Sequence, residues 1–360
     1  MARRDVVALG SAIVDLGVRV RAREIDRLGL ARGTMTLAEA EDLDRLIEAV
    51  GGEVEIRGGG SAANTAVGLA SLGVDTAMVT QVGDDDLGER WASEVAEAGV
   101  EVVLVPAPPG SRTARSLIMV DEGGERTMVT SLGVASSLDV DELPLPLLAE
   151  ARWCFVEGYL LDAAGDGLFE RLDVVRRLGG RIALSLGDQL LVDRHRDRLV
   201  RALGRVVDVV LGNGAEAAQL VRRQALSTIV EELQARGVEG ALTLGADGAV
   251  VFSADEALHQ PAPETIADVV DTTGAGDQFA AGYLAALVRG GDLSSRAMLG
   301  THVATAVVTH EGARPRPDTP LAAAPALTEL LAGLGLSREA DPAFDERSSD
   351  EPVAGERHGE

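Results

Sequence analysis

Short apolar runs of β type alternate along the chain with stretches whose apolar positions recur at helical spacing. The runs "VVALGSAIVDLGVRV", "AMVTQVG", "RWCFVEGYL", "RIALSLG", "VVDVVLGN" and "GALTLGADGAVVFS" read as strands, and the gaps between them leave room for helices. Such βαβ alternation predicts an α/β fold: a Rossmann-like, mostly parallel sheet with helices on both faces. Two regions depart from it. Residues 17–57 and 101–131 carry shorter alternating strands, charged positions and the turn signals "PAPPGSR" and "DEGGER", which predict a small β-rich lid extending from the main sheet. The first region also holds a helical insertion, "TLAEAEDLDRLIEAVGG", with Thr36 as its expected N-cap and Gly51 and Gly52 as its stop. Beyond the helix-like "TPLAAAPALTELLAGLG", residues 337–360 are acidic, poor in apolar groups and aperiodic, the composition of a disordered tail. The expected organisation is one domain over residues 1–336 followed by that tail, without internal repeats.

Composition narrows the function classes. With 360 residues, 46% of them hydrophobic and 25% charged, the chain can bury a large core. No window approaches the ~20 apolar residues of a membrane helix, so the expectation is a cytoplasmic protein without a membrane partner. The single cysteine, Cys154, excludes an internal disulfide and is expected to be a buried thiol. A net charge of −25 argues against nucleic acid as a partner, since phosphate backbones need a basic surface. All 33 basic residues are arginine. A lysine-bearing phosphate loop, a protein-kinase lysine and a Schiff base are therefore excluded. A nucleotide handled by this chain must be met by backbone amides, metal and arginine.

Two stretches carry candidate chemistry. "ADVVDTTGAGDQFAAGYLAALV" reads strand, glycine turn, helix, which sets Gly274, Ala275, Gly276 and Asp277 where the first N–H groups of a helix lack partners. That end attracts anions. A carboxylate beside it would put a proton acceptor next to an anion hole, the pair that phosphoryl transfer to a hydroxyl requires. The same stretch is compatible with Asp277 simply capping a helix. In "RGGGSAANTAVGLASLG", Gly58, Gly59 and Gly60 precede a helix whose Ala62, Ala66 and Ala70 permit close packing, and Asn64 lies one turn in, where it could bond a substrate hydroxyl.

Together these stretches resemble the two signature regions of the ribokinase (PfkB) family of carbohydrate and nucleoside kinases. The resemblance runs from about Asp5 to Pro317. It takes in Asn213-Gly214-Ala215-Glu216, similar to the family's N-x-x-E motif, and the segment from Thr243 to Gly248, similar to its nucleotide loop. It implies a ribokinase-like fold with a β lid, ATP as phosphate donor, Mg²⁺ as cofactor, and phosphorylation of a primary alcohol. Carried over by residue, Asp277 is similar to the catalytic base, and Gly274, Ala275 and Gly276 to its anion hole. Asp15, expected at the end of the first strand, and Gly59, Gly60 and Asn64 match positions that grip sugar hydroxyls. Glu157 fits a mid-chain acid near substrate or metal, or alternatively a strand-end carboxylate. Asn213 and Glu216 match the motif that positions Mg²⁺ through water, and Thr243, Gly245 and Gly248 the nucleotide loop. Arg126 matches an arginine that reaches the phosphates, or is a solvated turn residue. Asp271, with Thr273, matches a monovalent-cation site, K⁺ in some members.

Segments such as "GLARGTMTLAEAEDL", "DRHRDRL" and "HEGARP" are most similar to bacterial members of the adenosine-kinase type. Only 2% of residues are aromatic, however, and a purine pocket usually offers aromatic or flat apolar walls. Trp91 and Trp153 are expected in packing roles, and His195, His302 and His310 lack metal-ligand spacing. Three readings remain: a nucleoside kinase with adenosine as acceptor, a kinase of a ribose- or fructose-like furanose, and a noncatalytic sensor on the same fold. Either a monomer or a homodimer is compatible with the sequence.

Overall fold

The computed structural model describes residues 4–263, 269–316, 321 and 325–334. The expected tail at 337–360 lies outside the described residues. Among these residues fourteen strands form two sheets: β1 (Val6–Leu9), β2 (Ile13–Arg19), β3 (Met35–Leu37), β4 (Glu55–Gly59), β5 (Thr76–Thr80), β6 (Glu101–Leu104), β7 (Ala114–Val120), β8 (Arg126–Ser131), β9 (Trp153–Glu157), β10 (Ile182–Ser185), β11 (Val209–Asn213), β12 (Glu239–Thr243), β13 (Ala249–Phe252) and β14 (Ala257–Gln260). The larger sheet has the order β14-β13-β12-β11-β10-β9-β1-β5-β6. It is parallel from β6 to β12 and closes with the antiparallel hairpin strands β13 and β14.

Why these strands read as unbroken apolar runs is visible in their packing. Val6 and Ala8 of β1 face one core, shared with Met78, Trp153 and Phe155, while Val7 and Leu9 face the other, with Val79, Cys154 and Val156. A parallel sheet covered on both faces has no polar side to record in the sequence. Cys154 and Trp91 are buried, as expected.

The lid is a five-stranded sheet of order β3-β8-β7-β2-β4. Its membership corrects the sequence reading in three places. The run "VVALGSAIVDLGVRV" is two strands: β1 ends in the main sheet, Gly10 to Ala12 turn the chain, and β2 enters the lid. Asp15 therefore lies within a lid strand, opposite Arg57 of β4 and Ser116 of β7, rather than at the end of the first core strand. Residues 101–104 form β6, the edge of the main sheet, because they pair with β5 rather than with the lid. Thr36 is inside β3, and the insertion helix, Ala40–Val50, starts later with Glu39 at its N-cap. Its stop at Gly51, φ 61°, stands as expected. Before the glycine turn, Val269 and Val270 are in no strand and more than half exposed, while residues 264–268 of that expected strand are outside the described residues.

Chain direction positions the site. β1 leads through the Ser61–Ser71 helix to β5 on one side and has β9 as its other neighbour. Ligands of open α/β sheets bind in the crevice outside the carboxyl ends of strands at such a reversal. The lid continues from the carboxyl end of β1 and joins this crevice.

Candidate active site

The turn that opens the Ala275–Val288 helix is built by the side chain of Asp271. Its Oδ1 accepts from the Thr273 N–H (2.9 Å) and hydroxyl (2.7 Å), and its Oδ2 accepts from the Gly312 N–H (2.9 Å) and Arg126 Nη2 (2.7 Å). Burial opposes ionisation of Asp271, but the Gly312 and Thr273 donors outweigh it and hold its carboxyl below the usual range. Gly274, the N-cap, has φ 75°, and a Cβ there would stand 2.5 Å from that of Ala313. No other residue fits both the conformation and the contact. The first i→i−4 bond of the helix runs from Gln278 to Gly274, so the Gly276 and Asp277 N–H groups precede it, and the space beside the Gly276 Cα is open.

Asp277 is the third residue of that helix. The Ser61 hydroxyl donates to its Oδ1 at 2.6 Å and Asn64 Nδ2 to its Oδ2 at 2.9 Å. Burial pushes its carboxyl up to about 6, against the pull of Ser61, Asn64 and the Arg314 guanidinium. A proton acceptor poised near neutral pH thus sits in a helix N-terminal turn.

Gly59 and Gly60 bring the lid and the core together. A Cβ at Gly59 would stand 2.6 Å from Asp15 Oδ2, and one at Gly60, φ 103°, would collide with the Ser11 carbonyl oxygen. The indole of Trp91 donates to the Gly59 carbonyl at 2.9 Å, so this tryptophan pins the glycine run from behind. Desolvation raises Asp15 to about 6, with Arg314 and Arg126 opposing it. Glu157, 2% exposed, ends β9 and accepts from the Ser11 N–H (2.7 Å) and the Ala62 N–H (2.9 Å). Both oxygens are thereby used in bracing the β1–β2 turn against the helix start. Burial raises its carboxyl above the ordinary value despite those two donors.

Asn213 and Glu216 form a capping box at the end of β11. Asn213 Oδ1 accepts from the Ala215 and Glu216 N–H groups, while Glu216 accepts from the Asn213 N–H at 2.9 Å and its Nδ2 at 2.6 Å. Glu216 is buried and pushed up to about 7, by desolvation first and then by Asp188. Register pairs Asn213 with Thr243, whose hydroxyl is 3.4 Å from the Gly212 carbonyl. The tight turn after Thr243 uses Gly245 (φ 64°) and Gly248 (φ 91°). Asn213 and Thr243 thus stand together at the carboxyl ends of β11 and β12, and β11 also contacts the Ala275–Val288 helix.

Arg126, at the start of β8, reaches across from the lid to Asp271 and also bonds the Thr273 hydroxyl. It is neither a free turn residue nor unpartnered, and Asp271 has all its acceptance engaged by four protein donors. Among the described residues no three His, Cys, Asp or Glu side chains form a metal-binding cluster. Arg314 escaped the sequence reading although it lies in the quoted "HEGARP". Ser61 and Glu94 did too. Nothing local marks them: their partners come from segments 36 to 255 residues away.

Comparisons with known proteins bear on this arrangement. Residues 34–320 match the pfkB family carbohydrate kinase domain. A fructokinase of Klebsiella pneumoniae is 31% identical over 256 residues, covering 69% of this chain and 82% of that one. An ATP-dependent ribose-1-phosphate kinase of Halopiger xanaduensis is 30% identical, covering 78% and 92%. The crystal structure of adenosine kinase from Sinorhizobium meliloti is 34% identical, covers 87% of this chain and 96% of its own, and superposes with a TM-score of 0.79. The chain belongs to the PfkB family and is an ATP-dependent kinase of a sugar or nucleoside.

Proposed function

We propose that this kinase phosphorylates the 5′-hydroxyl of a nucleoside, with adenosine as its acceptor. The observation that carries the catalytic part is the placement of Asp277. A desolvated carboxylate, raised to about 6, lies in the first turn of the Ala275–Val288 helix beside N–H groups that precede the helical bonding pattern. Asp277 takes the proton of the acceptor hydroxyl as that oxygen forms its bond to the γ-phosphorus. The bond from phosphorus to the bridging oxygen breaks, and ADP leaves. The N–H groups of the turn meet the charge on the transferring phosphoryl oxygens. Asp15 and Asn64 would hold vicinal hydroxyls of the acceptor, with Gly59 and Gly60 leaving room for it. Thr243, Gly245 and Gly248 would border the nucleotide. Lying behind this face, Glu157 would act on the acceptor by fixing the glycine-rich turn.

Glu216 and Asn213 fit Mg²⁺ in donor chemistry, being oxygen donors whose mutual bonds leave outer-sphere contact through water as the mode of binding. The ion would supply charge neutralisation for the ATP phosphates. Asp271 is less suited to K⁺, since a cation would have to share it with Arg126.

Adenosine is favoured by the likeness to the Sinorhizobium meliloti enzyme. The alternative acceptor, a furanose sugar, is favoured by a specific observation. Trp91, Trp153, Phe155, Phe252, Phe279 and Tyr283 are all buried, which among the described residues leaves two aromatic side chains with exposed surface: Phe169, half-buried on the Asp166–Arg177 helix, and Tyr159, 38% exposed and two residues past Glu157. An ADP-release assay with adenosine, other nucleosides, ribose, fructose and ribose 1-phosphate tests the proposal. Adenosine should give the highest kcat/KM, because its base adds binding energy that orients the 5′-hydroxyl. A sugar outperforming every nucleoside would refute it.

A further inference from the structure

We propose that Arg314 is a positioning residue for the base: its guanidinium fixes the side-chain amide of Asn64 so that the NH₂ group, not the carbonyl, faces Asp277. The inference rests on Asp277 being the base, as assigned above.

Arg314 follows Ala313, which packs on Gly274 and whose carbonyl accepts from Gln278 Nε2 at 3.1 Å. The arginine is thereby anchored to the same helix turn that carries Asp277. Only 12% of its side chain is exposed. Nε donates to Asn64 Oδ1 at 3.0 Å, Nη1 to Glu94 Oε1 at 3.0 Å, and Nη2 to the Gly59 carbonyl at 3.3 Å. Gly58 leaves the space for this: a Cβ there would stand 2.7 Å from Nη1. Glu94 supplies the counter-charge and is itself held by the Gly58 N–H, at 2.9 and 3.1 Å.

Arginine can only donate hydrogen bonds, so the Asn64 atom facing it must be the oxygen. The Asn64 nitrogen must then face Asp277 Oδ2, where it stands at 2.9 Å. Flipped, the amide would oppose oxygen to oxygen at Asp277 and N–H to N–H at Arg314. An N–H donated to a carboxylate favours its charged form, and a nearby cation does the same. Arg314 therefore acts on the base twice, through Asn64 and by its own charge. The groups acting on Asp277 are Arg314 from the segment after the Leu293–Val307 helix, Glu157 from the end of β9, and Ser61 and Asn64 from the Ser61–Ser71 helix; Arg314 is faced in turn by Glu94 and by Asp15 of the lid.

The test compares the parent with Arg314→Met and Arg314→Lys. Losing an opposite charge and an oriented donor within a few ångströms should raise the acid limb of kcat/KM by roughly one pH unit, so that activity falls about tenfold below the limb and recovers at pH 8.5. Arg314→Lys, which can still donate to Asn64, should lie close to the parent. A merely structural role would lower activity equally at all pH values and would overturn the proposal. A second readout needs no turnover: the carboxyl ¹³C resonance of Asp277, assigned by its loss in Asp277→Asn, should titrate at higher pH in Arg314→Met. That titration decides the proposal even if no acceptor is phosphorylated, an outcome that would sink the functional reading instead. Should Arg314→Met fail to fold, Arg314→Gln replaces it, with the same shift expected from the lost charge. An Asp277 titration identical in parent and variant would overturn it.

Discussion

Replacing Asp277 with asparagine separates activity from stability, and the structure gives the sign of both. The asparagine side chain would keep the shape and one donor–acceptor contact with Ser61 or Asn64, but it cannot take a proton. Removal of a general base typically costs ~10²–10⁴ in rate, or about 3–5 kcal/mol of transition-state stabilisation, and acceptor affinity should change little. Stability should move the other way. Desolvation raises the Asp277 carboxyl from 3.8 to about 6 in the folded protein. Between those pH values the native state holds a proton that the unfolded chain has lost, so stability falls as pH rises through the window. Above pH 6 the cost is complete, at most about 3 kcal/mol for a shift of roughly two units. Below pH 3.8 both states are protonated and the cost vanishes. Asp277→Asn should therefore melt higher than the parent at pH 8, with the advantage shrinking towards pH 4, while its kcat is at least a hundredfold lower. Differential scanning fluorimetry across pH, together with ADP release at saturating acceptor, measures the two. A variant with near-parental kcat, or one less stable than the parent at pH 8, would refute the reasoning.

Three further perturbations follow from the geometry. Gly274→Ala forces φ 75° on a residue with a Cβ placed 2.5 Å from that of Ala313, so it should lose about 2 kcal/mol or more in urea unfolding and also lower kcat by displacing the turn; parental stability would remove the steric argument. Glu216→Ala should raise the Mg²⁺ concentration needed for half-maximal rate, and an identical Mg²⁺ titration would take Glu216 out of the metal's reach. Arg126→Ala cuts the lid's contact with Asp271 and Thr273, so amides of β7 and β8 should exchange faster by hydrogen-exchange mass spectrometry; unchanged exchange would show that other contacts, such as Arg19 with Glu311, hold the lid alone.

How far the molecule could be read from its residues depended on whether the cause was local. The core strands were legible because each is a short apolar run bounded by turn residues, and the glycine turn before Asp277 because Gly274 needs a conformation that few other residues adopt. The boundary between β1 and β2 was not, since both strands are apolar and only Gly10 and Ser11 interrupt them. Asp15 moved from core to lid for that reason. Thr36 looked like an N-cap by type, but its backbone is held by pairing with β8, a partner about ninety residues away. Glu157, Arg126 and Arg314 show the same limit within the site. Their identities could be read, but whether each acid or arginine faces ligand, backbone or counter-ion is decided by the tertiary fold.

The charge of −25 poses a problem for a kinase that must hold ATP, and the site resolves it locally. Three arginines around the site are already matched: Arg57 with Glu55, Arg126 with Asp271, Arg314 with Glu94. These pairs leave little net positive charge to attract phosphate. The donors that remain are the N–H groups at the start of the Ala275–Val288 helix, which carry partial charge without a counter-ion. An arginine or lysine placed beside Asp277 with no acid of its own would lower the carboxyl towards its ordinary value and weaken it as a proton acceptor. Burial holds the Asp277 carboxyl up to about 6 against the pull of Ser61, Asn64 and the Glu94-paired Arg314. The absence of lysine is compatible with the proposed chemistry, in which the anion would be met by backbone dipoles and Mg²⁺ while the paired arginines fix geometry.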